Sequence, residues 1–580
     1  MPRISKVPFG AASHVAMLLE QIEKRYTAGT YSPNMAAAFV LYLIKRANLI
    51  DVEDLPGFLK EQQIDRQLIP WIRMQIDDHW NDFRRLIAML QPEGLREYLL
   101  THQPTTTREV EVGMGTPECL CDLAIAIMKR HGVSRVCNPC CGIGNFMVRL
   151  AANEVKGSFA GYDISDRCVC ITKIRAHVLG NHAEIRNENT LECETRSLGT
   201  QDGIFLDPPL GMRLSHISNV FNTREGAVPV AFPMLKGTNS TEWVWAAKML
   251  DALDDDGIIV ALMTNGALFN MTEAPLRQYL VDRGLVRYVV ALPERLLNYT
   301  ALNLSLVVLS KQPCSSVTMV DATSLCERGA RVNLLTPHHI AAMVDALEGS
   351  STIRMEVSRE DIAKNGYQLA VQRYFMPTLN IRNGKPLKEL CMDIFRGPQM
   401  SREELHRKRM DGDSDVRCLT IANIQDGLVD KELPFIDTIS VREERYCLMD
   451  GDVVITKAMA PCKVAVVEVE EGVSILPSGN FFVLRPNRNL VDPYYLTAYL
   501  RSESGKMQLE RMATGTTIRT IAQECLEKML IPMAPLASQL TFAKEYREKL
   551  MHLSEMRKEC ELTKKALDNA YDEFERAFLA

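Results

Sequence analysis

The chain has 580 residues, of which 46% are hydrophobic and 24% are charged, and its formal net charge is −6 at pH 7. These proportions exclude collagen-like, low-complexity and disordered chains, and the length favours about three domains over one. The charge excludes a protein that is basic over its whole surface but not one with a local basic cleft.

No apolar run reaches membrane-spanning length, and the first residues, MPRISKVPFGAASHVAMLLEQ, lack the continuous apolar block of a signal peptide. We therefore predict a cytoplasmic protein with no membrane partner.

Sixteen cysteines, two of them adjacent at Cys140 and Cys141, fit free thiols better than a disulfide framework. Several lie between Cys119 and Cys170, so a zinc site is an alternative, but no pair of CxxC knuckles or matching histidine supports it. We predict no metal site.

Residues 1–105 have apolar positions spaced three and four apart, for example over Met35–Ala47 and Trp80–Leu90. This period is typical of amphipathic helices. The sequence therefore predicts a helical N-terminal domain over residues 1–105.

From about residue 133 the pattern changes to short apolar runs separated by helical stretches. The runs are VSRVCNP, GSFAGYD, GIFLDPP, GIIVALMTN, VRYVVALP and LSLVVLSK. Apolar strands that alternate with helices are typical of a doubly wound α/β fold, in which helices cover both faces of a parallel sheet. We predict this second domain over residues 106–376.

After Pro377 come short alternating strands with turn signals, such as RCLTIANIQDG, GDVVITK, KVAVVEVEEG and GNFFVLRPN. They predict a separate α+β domain over residues 377–535. In the last segment, 536–580, apolar residues alternate at steps of three and four, as in a long helix that packs on another helix. This heptad seam consists of Leu553, Met556, Cys560, Thr563, Leu567, Ala570, Phe574 and Ala577. Its partner could lie in the same chain or in a second copy.

A glycine-rich turn joins the first strand of the α/β domain to a helix. Its candidate binding residues are Asn138, Pro139, Cys140, Gly142, Gly144, Asn145 and Phe146. Such a turn lets the backbone approach a ligand closely and points amide groups at it. A tight turn that serves only packing is the alternative, so the turn alone is weak evidence.

Two further strand ends agree with a site at the same edge of the sheet. Asp163 ends the second strand, where a doubly wound nucleoside site binds ribose hydroxyls. A helix N-cap is the alternative role, and Ser165 could share it. Two strands later, the apolar GIFL is followed by Asp207, Pro208, Pro209 and Leu210. The two prolines remove two amide donors and stiffen the loop, which leaves a carboxylate and carbonyl oxygens for a substrate amino group.

In this order, NPCCGIGNF, GYD, DPPLG, GIIVALMTNGALF, VALPERLLNYTALNLSLVVLSK and NGYQLAVQRYF resemble the modification subunit of type I restriction systems and related single-chain N6-adenine methyltransferases. The similarity covers about residues 106–375, and the helical region before it fits that family's N-terminal domain. The resemblance implies a Rossmann-like methyltransferase domain that binds S-adenosylmethionine. Gly115-Thr116-Pro117 resembles the segment that approaches this cofactor, and Asn189 stands where a residue contacts its adenine.

The same resemblance implies that a target adenine rotates out of the duplex and that Asp207 and the Pro208 carbonyl accept hydrogen bonds from its amino group. Three positions depart from the family's pattern. Leu210 replaces an aromatic residue that stacks on the flipped base, Asn189 replaces a common acid, and Asn138 replaces a common aspartate. The sequence therefore indicates an active adenine-specific DNA methyltransferase, with a weak or inactive recognition component of a defence complex as the alternative. Cytosine N4 would use a similar loop.

The C-terminal part resembles one target-recognition unit and one helix of the specificity subunit of these systems, on LKELCMDIFRG, IANIQDG, GDVVITK and ATGTTIRTIAQECLEKMLIPMAPLASQ. This implies double-stranded DNA as a partner, in a restriction-modification or phage-defence system, and either a self-dimer or specificity, restriction or defence subunits. The basic stretch Arg402–Arg409 and Arg519 are candidates for phosphate contacts, with a solvated helix face as the alternative.

Overall fold

The chain divides into two compact units, Met1–Phe375 and Met376–Ala580. The computed structural model describes residues 15–16, 18–19, 33–47, 64–102, 115–180, 183–193, 198–210, 242–300, 302–375, 381, 383–399, 408, 414–430, 432–437, 439–459, 462–513 and 519–578. Among these residues, no helix is long and apolar enough to cross a membrane.

The helices of the first unit begin with three that precede the sheet. The described helices are α1 (Pro33–Ala47), α2 (Leu68–Leu86), α3 (Pro92–Thr101), α4 (Glu118–Arg130), α5 (Asn145–Ala152), α6 (Asp166–Leu179), α7 (Glu242–Met249), α8 (Asn265–Phe269), α9 (Ala274–Asp282), α10 (Pro337–Glu348), α11 (Arg359–Lys364) and α12 (Gln372–Phe375). The helix expected over Trp80–Leu90 begins earlier and ends at Leu86, and Pro92 starts the next one, because proline suits the first helical turn.

The sheet of the first unit has nine strands in the order β3-β2-β1-β4-β5-β7-β6-β8-β9. The strands are β1 (Arg135–Asn138), β2 (Ser158–Asp163), β3 (Glu184–Asn187), β4 (Gln201–Leu206), β5 (Leu253–Thr264), β6 (Val286–Ala291), β7 (Leu304–Ser310), β8 (Ser316–Asp321) and β9 (Arg354–Ser358). The strands β1 to β5 pair in parallel with their neighbours among themselves, whereas β7 runs antiparallel to β5 and β6.

Helices cover both faces of this sheet, as the strand β5 shows. Ile259 and Met263 pack into a cluster with α7 and α9, while Ile258 and Leu262 pack into another with α4 and α10. The predicted α/β fold class is confirmed, but two strands, β7 and β9, are antiparallel to their partners. The sequence did not show this for β7, because LSLVVLSK is buried along its whole length like a central parallel strand.

Helix α6 connects the N-terminal helices to the sheet. One of its faces, including Ile171 and Ile174, packs with the buried residues of α1 to α3. Val169 and Ala176 point the other way and pack with Met147 of α5 and Ile185 of β3. The helix is therefore apolar on two faces, which is typical of a helix inside a core.

The second unit combines short strands with a few helices. Its strands are β10 (Gly384–Pro386), β11 (Cys391–Arg396), β12 (Val416–Leu419), β13 (Ile424–Gln425), β14 (Leu428–Val429), β15 (Val453–Thr456), β16 (Val464–Val466), β17 (Ser474–Pro477), β18 (Phe481–Pro486) and β19 (Leu530–Pro532). They form a six-stranded sheet, β11-β18-β15-β16-β14-β13, and the pairs β12-β17 and β10-β19. The described helices are α13 (Leu387–Leu390), α14 (Val441–Glu444), α15 (Pro493–Arg501), α16 (Glu503–Met512), α17 (Gln523–Glu527) and α18 (Leu536–Phe578). Short 3₁₀ helices span Leu250–Ala252, Met271–Glu273 and Ile421–Asn423.

The long helix α18 has 43 residues, which corresponds to about 65 Å. Its first half packs against the rest of the second unit, where Ala543 and Leu550 are buried and Gln539 accepts a hydrogen bond from the Asp492 amide at 3.1 Å. From residue 558 onward, every side chain that the structure describes is exposed. The predicted C-terminal helix is confirmed.

Candidate active site

The candidate residues follow the carboxyl ends of β1, β2 and β4. These strands are parallel neighbours, so their ends lie at one edge of the sheet. The glycine-rich turn follows β1, Asp163 ends β2, and the loop 207–210 follows β4. The fold therefore brings together the three segments that the sequence analysis selected.

The glycine-rich turn needs glycine at two positions. Gly142 and Gly144 have φ values of 51° and 81°, in the left-handed region that favours glycine. A Cβ at Gly144 would lie 2.9 Å from the Thr172 Cγ2, whereas a Cβ at Gly142 would meet no heavy atom within 4 Å. The Thr172 hydroxyl donates to the Gly142 carbonyl at 2.9 Å and holds the turn against α6. The turn is thus closed on its α6 side and open at Gly142.

Two side chains of this turn point inward. The Asn138 side chain is buried and accepts a hydrogen bond from the Cys140 amide at 3.2 Å. Phe146 is buried and stacks on Phe205 of β4, with ring centroids 4.1 Å apart. This ring lies on the inner, core-facing side of α5, so any contact of Phe146 with a cofactor would be made by its backbone. Asn138 and Phe146 therefore support the turn from its buried side.

Asp163 links the end of β2 to the glycine-rich turn. Its carboxylate accepts hydrogen bonds from the Gly142 and Ser165 amides, both at 2.9 Å, and burial raises its pKa. Ser165 is the N-cap of α6, since its side chain accepts from the Cys168 amide. The capping role thus belongs to Ser165, and each Asp163 oxygen keeps a further lone pair for a ligand hydroxyl.

A second turn, which contains Asn189, lies beside the first. The Asn189 side chain accepts a hydrogen bond from the Leu191 amide at 3.2 Å. The buried Thr190 hydroxyl donates to the Pro139 carbonyl at 2.7 Å, which joins the two turns. Lys248 of α7 donates to the Leu191 carbonyl at 2.6 Å from below. Asn189 is therefore placed at the site by a backbone that several hydrogen bonds fix.

Asp207 lies partly buried at the start of its loop. The Thr116 hydroxyl donates to its Oδ2, and burial raises the pKa of Asp207 to about 6. Pro208 is buried, Pro209 is exposed, and Leu210 packs half-buried against the core cluster that contains α4 and α10. Thr116 thus joins the segment before α4 to the loop after β4.

Three side chains near this edge were not predicted from the sequence. Ile164 follows Asp163 and is 72% exposed, which is unusual for an isoleucine beside a buried strand. Tyr299, on the segment between β6 and β7, is 44% exposed, and burial together with the Asp207 charge raises its pKa. Arg175 is fully buried in α6. The sequence offered a signal for two of them. Ile164 directly follows a strand-end acid, and Tyr299 is the lone tyrosine in LLNYTALNLS.

The predicted phosphate contacts in the second unit have protein partners where they are described. The Lys408 ammonium donates to Glu443 at 2.7 Å and holds the pKa of that carboxyl at about 2. Arg519 donates to the Glu510 carbonyl. The rest of the stretch Arg402–Arg409 lies outside the described residues.

The cysteines near the site are buried or half-buried thiols. All sixteen are free, and burial raises the pKa of Cys121, Cys140 and Cys141 well above its ordinary value. In the described part of the chain, histidine, cysteine, aspartate and glutamate form no group of three that could hold a metal ion. The thiols therefore act as small apolar side chains around the glycine-rich turn.

Comparison with known proteins shows which family part of this chain resembles. The family model described as N-6 DNA Methylase matches residues 95–380. The MjaIX type I restriction enzyme methylase subunit of Methanocaldococcus jannaschii is 26% identical over 298 residues, which are 46% of this chain and 53% of that protein. The chain spans about half the length of the curated methylase subunits it matches.

The other two similarities are shorter or structural. A protein of M. jannaschii named as the specificity subunit of type I restriction enzyme MjaX is 30% identical over 129 residues, which are 21% of this chain and 30% of that protein. The crystal structure of a type I methyltransferase subunit from Streptococcus thermophilus is 16% identical, covers 62% of this chain and 83% of its own, and has a TM-score of 0.46. Residues 95–380 therefore match the model of the N-6 DNA methylase family, and the chain is similar to the methylase subunits of type I restriction enzymes.

Proposed function

We propose that this protein is a site-specific DNA methyltransferase that modifies the N6 amino group of adenine in a restriction-modification or phage-defence system. The observation that carries the proposal is the Asp207-Pro208-Pro209 loop at the same sheet edge as the glycine-rich turn, with its carboxylate held by Thr116. A carboxylate and a stiff loop without two amide donors suit an amino group rather than a phosphate or a carboxylate substrate.

The residues at this edge fit S-adenosylmethionine, which supplies an activated methyl group when bound. The turn is open at Gly142, Asp163 keeps lone pairs for ribose hydroxyls, and the exposed Ile164 offers an apolar surface for a purine ring. Thr116 and Pro117 lie next to the same turn, because Asn145 donates to the Thr116 carbonyl. The other proposed contacts are Asn138, Pro139, Cys140, Gly144, Asn145 and Asn189, with Phe146 supporting them from the core.

In the proposed reaction, Asp207 and the Pro208 carbonyl accept hydrogen bonds from the amino group of a base rotated out of the duplex. Above pH 6 the Asp207 carboxylate is charged and orients the nitrogen lone pair. The nitrogen would gain the methyl group that S-adenosylmethionine gives up from its sulfonium sulfur, with S-adenosylhomocysteine as the leaving group, and would lose one proton, which passes to water. The chain thus contributes positioning and electrostatics, and forms no covalent bond to the substrate.

DNA from a methylation-deficient host that expresses this chain tests the proposal. We expect N6-methyladenine at one short sequence motif by single-molecule sequencing, and none when the chain carries Asp207→Ala. If cytosine N4 is modified instead, the target base is cytosine. Absence of any modification, from a chain that binds S-adenosylmethionine, would contradict the proposal and favour a recognition component without efficient transfer.

Leu210 favours this second function, because it packs against the core and presents no aromatic face. If the lack of an aromatic ring at position 210 limits methyl transfer, we expect Leu210→Tyr to raise the initial rate of methylation about tenfold. Stacking of a base on an aromatic ring contributes about 1–3 kcal/mol. Incorporation of radiolabelled methyl groups into DNA measures the rate. No gain from Leu210→Tyr, together with a loss from Tyr299→Ala, would show that Tyr299 already supplies the aromatic surface.

We further propose that the second unit binds double-stranded DNA and that the exposed part of α18 pairs with the same helix of a second copy. The heptad seam continues without a break from Leu553 to Phe574, and these two residues are 41% and 56% exposed. A heptad repeat of this length, apolar except at Thr563, is typical of a coiled coil. Two copies of the same helix would supply matching positions to each other.

Sedimentation velocity tests the pairing. We expect a dimer for the unaltered chain and a monomer for the double variant Leu567→Glu/Phe574→Glu, because both side chains would place charge in the seam. Leu562→Glu is the matched control, since Leu562 is 67% exposed but lies outside the seam and should leave the dimer intact. A monomer for the unaltered chain at all concentrations would rule out self-pairing.

A further inference from the structure

Arg175 lies in α6 with no exposed surface, and it retains its charge at neutral pH because burial lowers its pKa only to about 10. Its guanidinium donates to the carbonyls of Leu99 at 3.0 Å, Ile143 at 2.8 Å and His102 at 2.6 Å, and to the Asn145 Oδ1 at 2.7 Å. All four acceptors are neutral. A buried charge without a carboxylate partner is costly, and an apolar side chain of this volume would fill the space at lower cost. The role of Arg175 is therefore to hold these segments together.

Asn145 connects Arg175 to Thr116. Its side chain is buried, and both ends of its amide are used, since Oδ1 accepts from Arg175 and Nδ2 donates to the Thr116 carbonyl at 2.8 Å. An arginine can only donate, so it fixes which end of the amide faces α6. The amide nitrogen is thereby directed at the segment before α4.

Thr116 is the last link. With its carbonyl held by Asn145, its hydroxyl donates to the Asp207 Oδ2. The described residues supply no donor to the second oxygen, Oδ1, which leaves that oxygen for a substrate. Each of these hydrogen bonds has a defined donor and acceptor, and together they run from the end of α3, through α6 and the glycine-rich turn, to the carboxylate.

We propose that Arg175, Asn145 and Thr116 are positioning residues that orient the Asp207 carboxylate toward the amino group of the target base. This inference rests on the proposed methyl transfer. It also means that the packing of α3 on α6 contributes to the orientation, because Leu99 and His102 supply two of the four acceptors of Arg175.

Two measurements test the chain of contacts. The first is the pH profile of methyl transfer. The second is the melting temperature of each variant with Asp207 minus that of the same variant with Asp207→Asn, as a function of pH. Because only the aspartate titrates, this difference reports the Asp207 pKa without requiring turnover. The variants are Arg175→Met, Thr116→Val and the conservative replacements Arg175→Lys and Thr116→Ser.

We expect Arg175→Met and Thr116→Val each to lower kcat about tenfold and to move the Asp207 midpoint up by about one pH unit. Arg175→Met should change KM for S-adenosylmethionine less than about threefold, because Arg175 is fully buried and is not itself one of the proposed cofactor contacts. Removing the Thr116 donor leaves the charged form less stabilised, so the midpoint rises. Thr116→Ser should keep the midpoint of the unaltered chain, and Arg175→Lys should shift it less than Arg175→Met does. The double variant Arg175→Met/Thr116→Val should show the same shift as either single variant.

An unchanged midpoint in Thr116→Val, or a full addition of the two effects in the double variant, would overturn the proposal. If Arg175→Met does not fold, Asn145→Leu, which is close in volume, removes the same link and should show the same shift. A midpoint that moves as expected in a chain that transfers no methyl group would uphold the positioning chain and contradict the proposed function instead.

Discussion

Replacing Asp207 with alanine is expected to reduce methyl transfer a hundred- to a thousandfold, whereas asparagine should keep it within about tenfold. Alanine removes the acceptor that holds the amino nitrogen, and losing one preorganised hydrogen-bonding group costs about 3–4 kcal/mol at a transition state. The asparagine side chain still offers an oxygen, and the Thr116 hydroxyl can accept from its amide in place of donating to the carboxylate. Initial rates with saturating DNA measure both variants.

The same pair of variants predicts the pH dependence. The pKa of Asp207 is raised to about 6, so the unaltered chain should lose activity as the pH falls through 6, while Asp207→Asn should show no such limb. A carboxyl whose pKa is raised by folding destabilises the folded chain when it is ionised. The stability gained by Asp207→Asn should therefore appear as the pH rises from about 4 to 6 and persist above it. If Asp207→Asn still loses activity as the pH falls through 6, another titrating group causes that loss.

Gly144→Ala is expected to weaken S-adenosylmethionine binding by at least tenfold and to destabilise the chain by about 1–3 kcal/mol. The position has φ 81°, and the added Cβ would lie 2.9 Å from Thr172, whose hydroxyl holds the turn through the Gly142 carbonyl. Titration calorimetry measures the affinity, and thermal unfolding measures the stability.

Gly180→Ala is the matched control for this substitution. Gly180 also has a left-handed φ, 70°, at the end of α6, but a Cβ there meets nothing within 4 Å. It should cost about 1 kcal/mol of stability and leave the affinity unchanged. Equal losses of affinity in both variants would mean that general destabilisation, rather than the shape of the turn, limits binding.

The parts of the site that the sequence predicted are those that local patterns specify. A glycine-rich turn after an apolar strand and an acid at the end of the next strand identify one edge of a sheet, because parallel strands end together. The order of Asn138, Asp163 and Asp207 along the chain was therefore enough to expect them at one place, which the structure confirms as a shared edge.

The parts that the sequence did not predict depend on contacts between distant residues. Nothing local to Phe146 shows that its ring turns inward to Phe205, because the first turn of a helix can face a ligand or the core. Arg175 reads in the sequence as one more charge on a helix, and only the packing of α3 reveals its buried acceptors. The antiparallel β7 was missed because a fully apolar strand carries no sign of its direction.

The two apolar faces of α6 also bear on how this protein can be divided. A cut between residues 105 and 106 would remove α1 to α3 and expose Ile171, Ile174 and the other side chains that now pack on them. It would also leave the Arg175 guanidinium facing solvent with two of its acceptors gone. The isolated sheet domain would therefore be prone to aggregate, and the N-terminal helices should protect its backbone amides from hydrogen exchange as part of one cooperative unit.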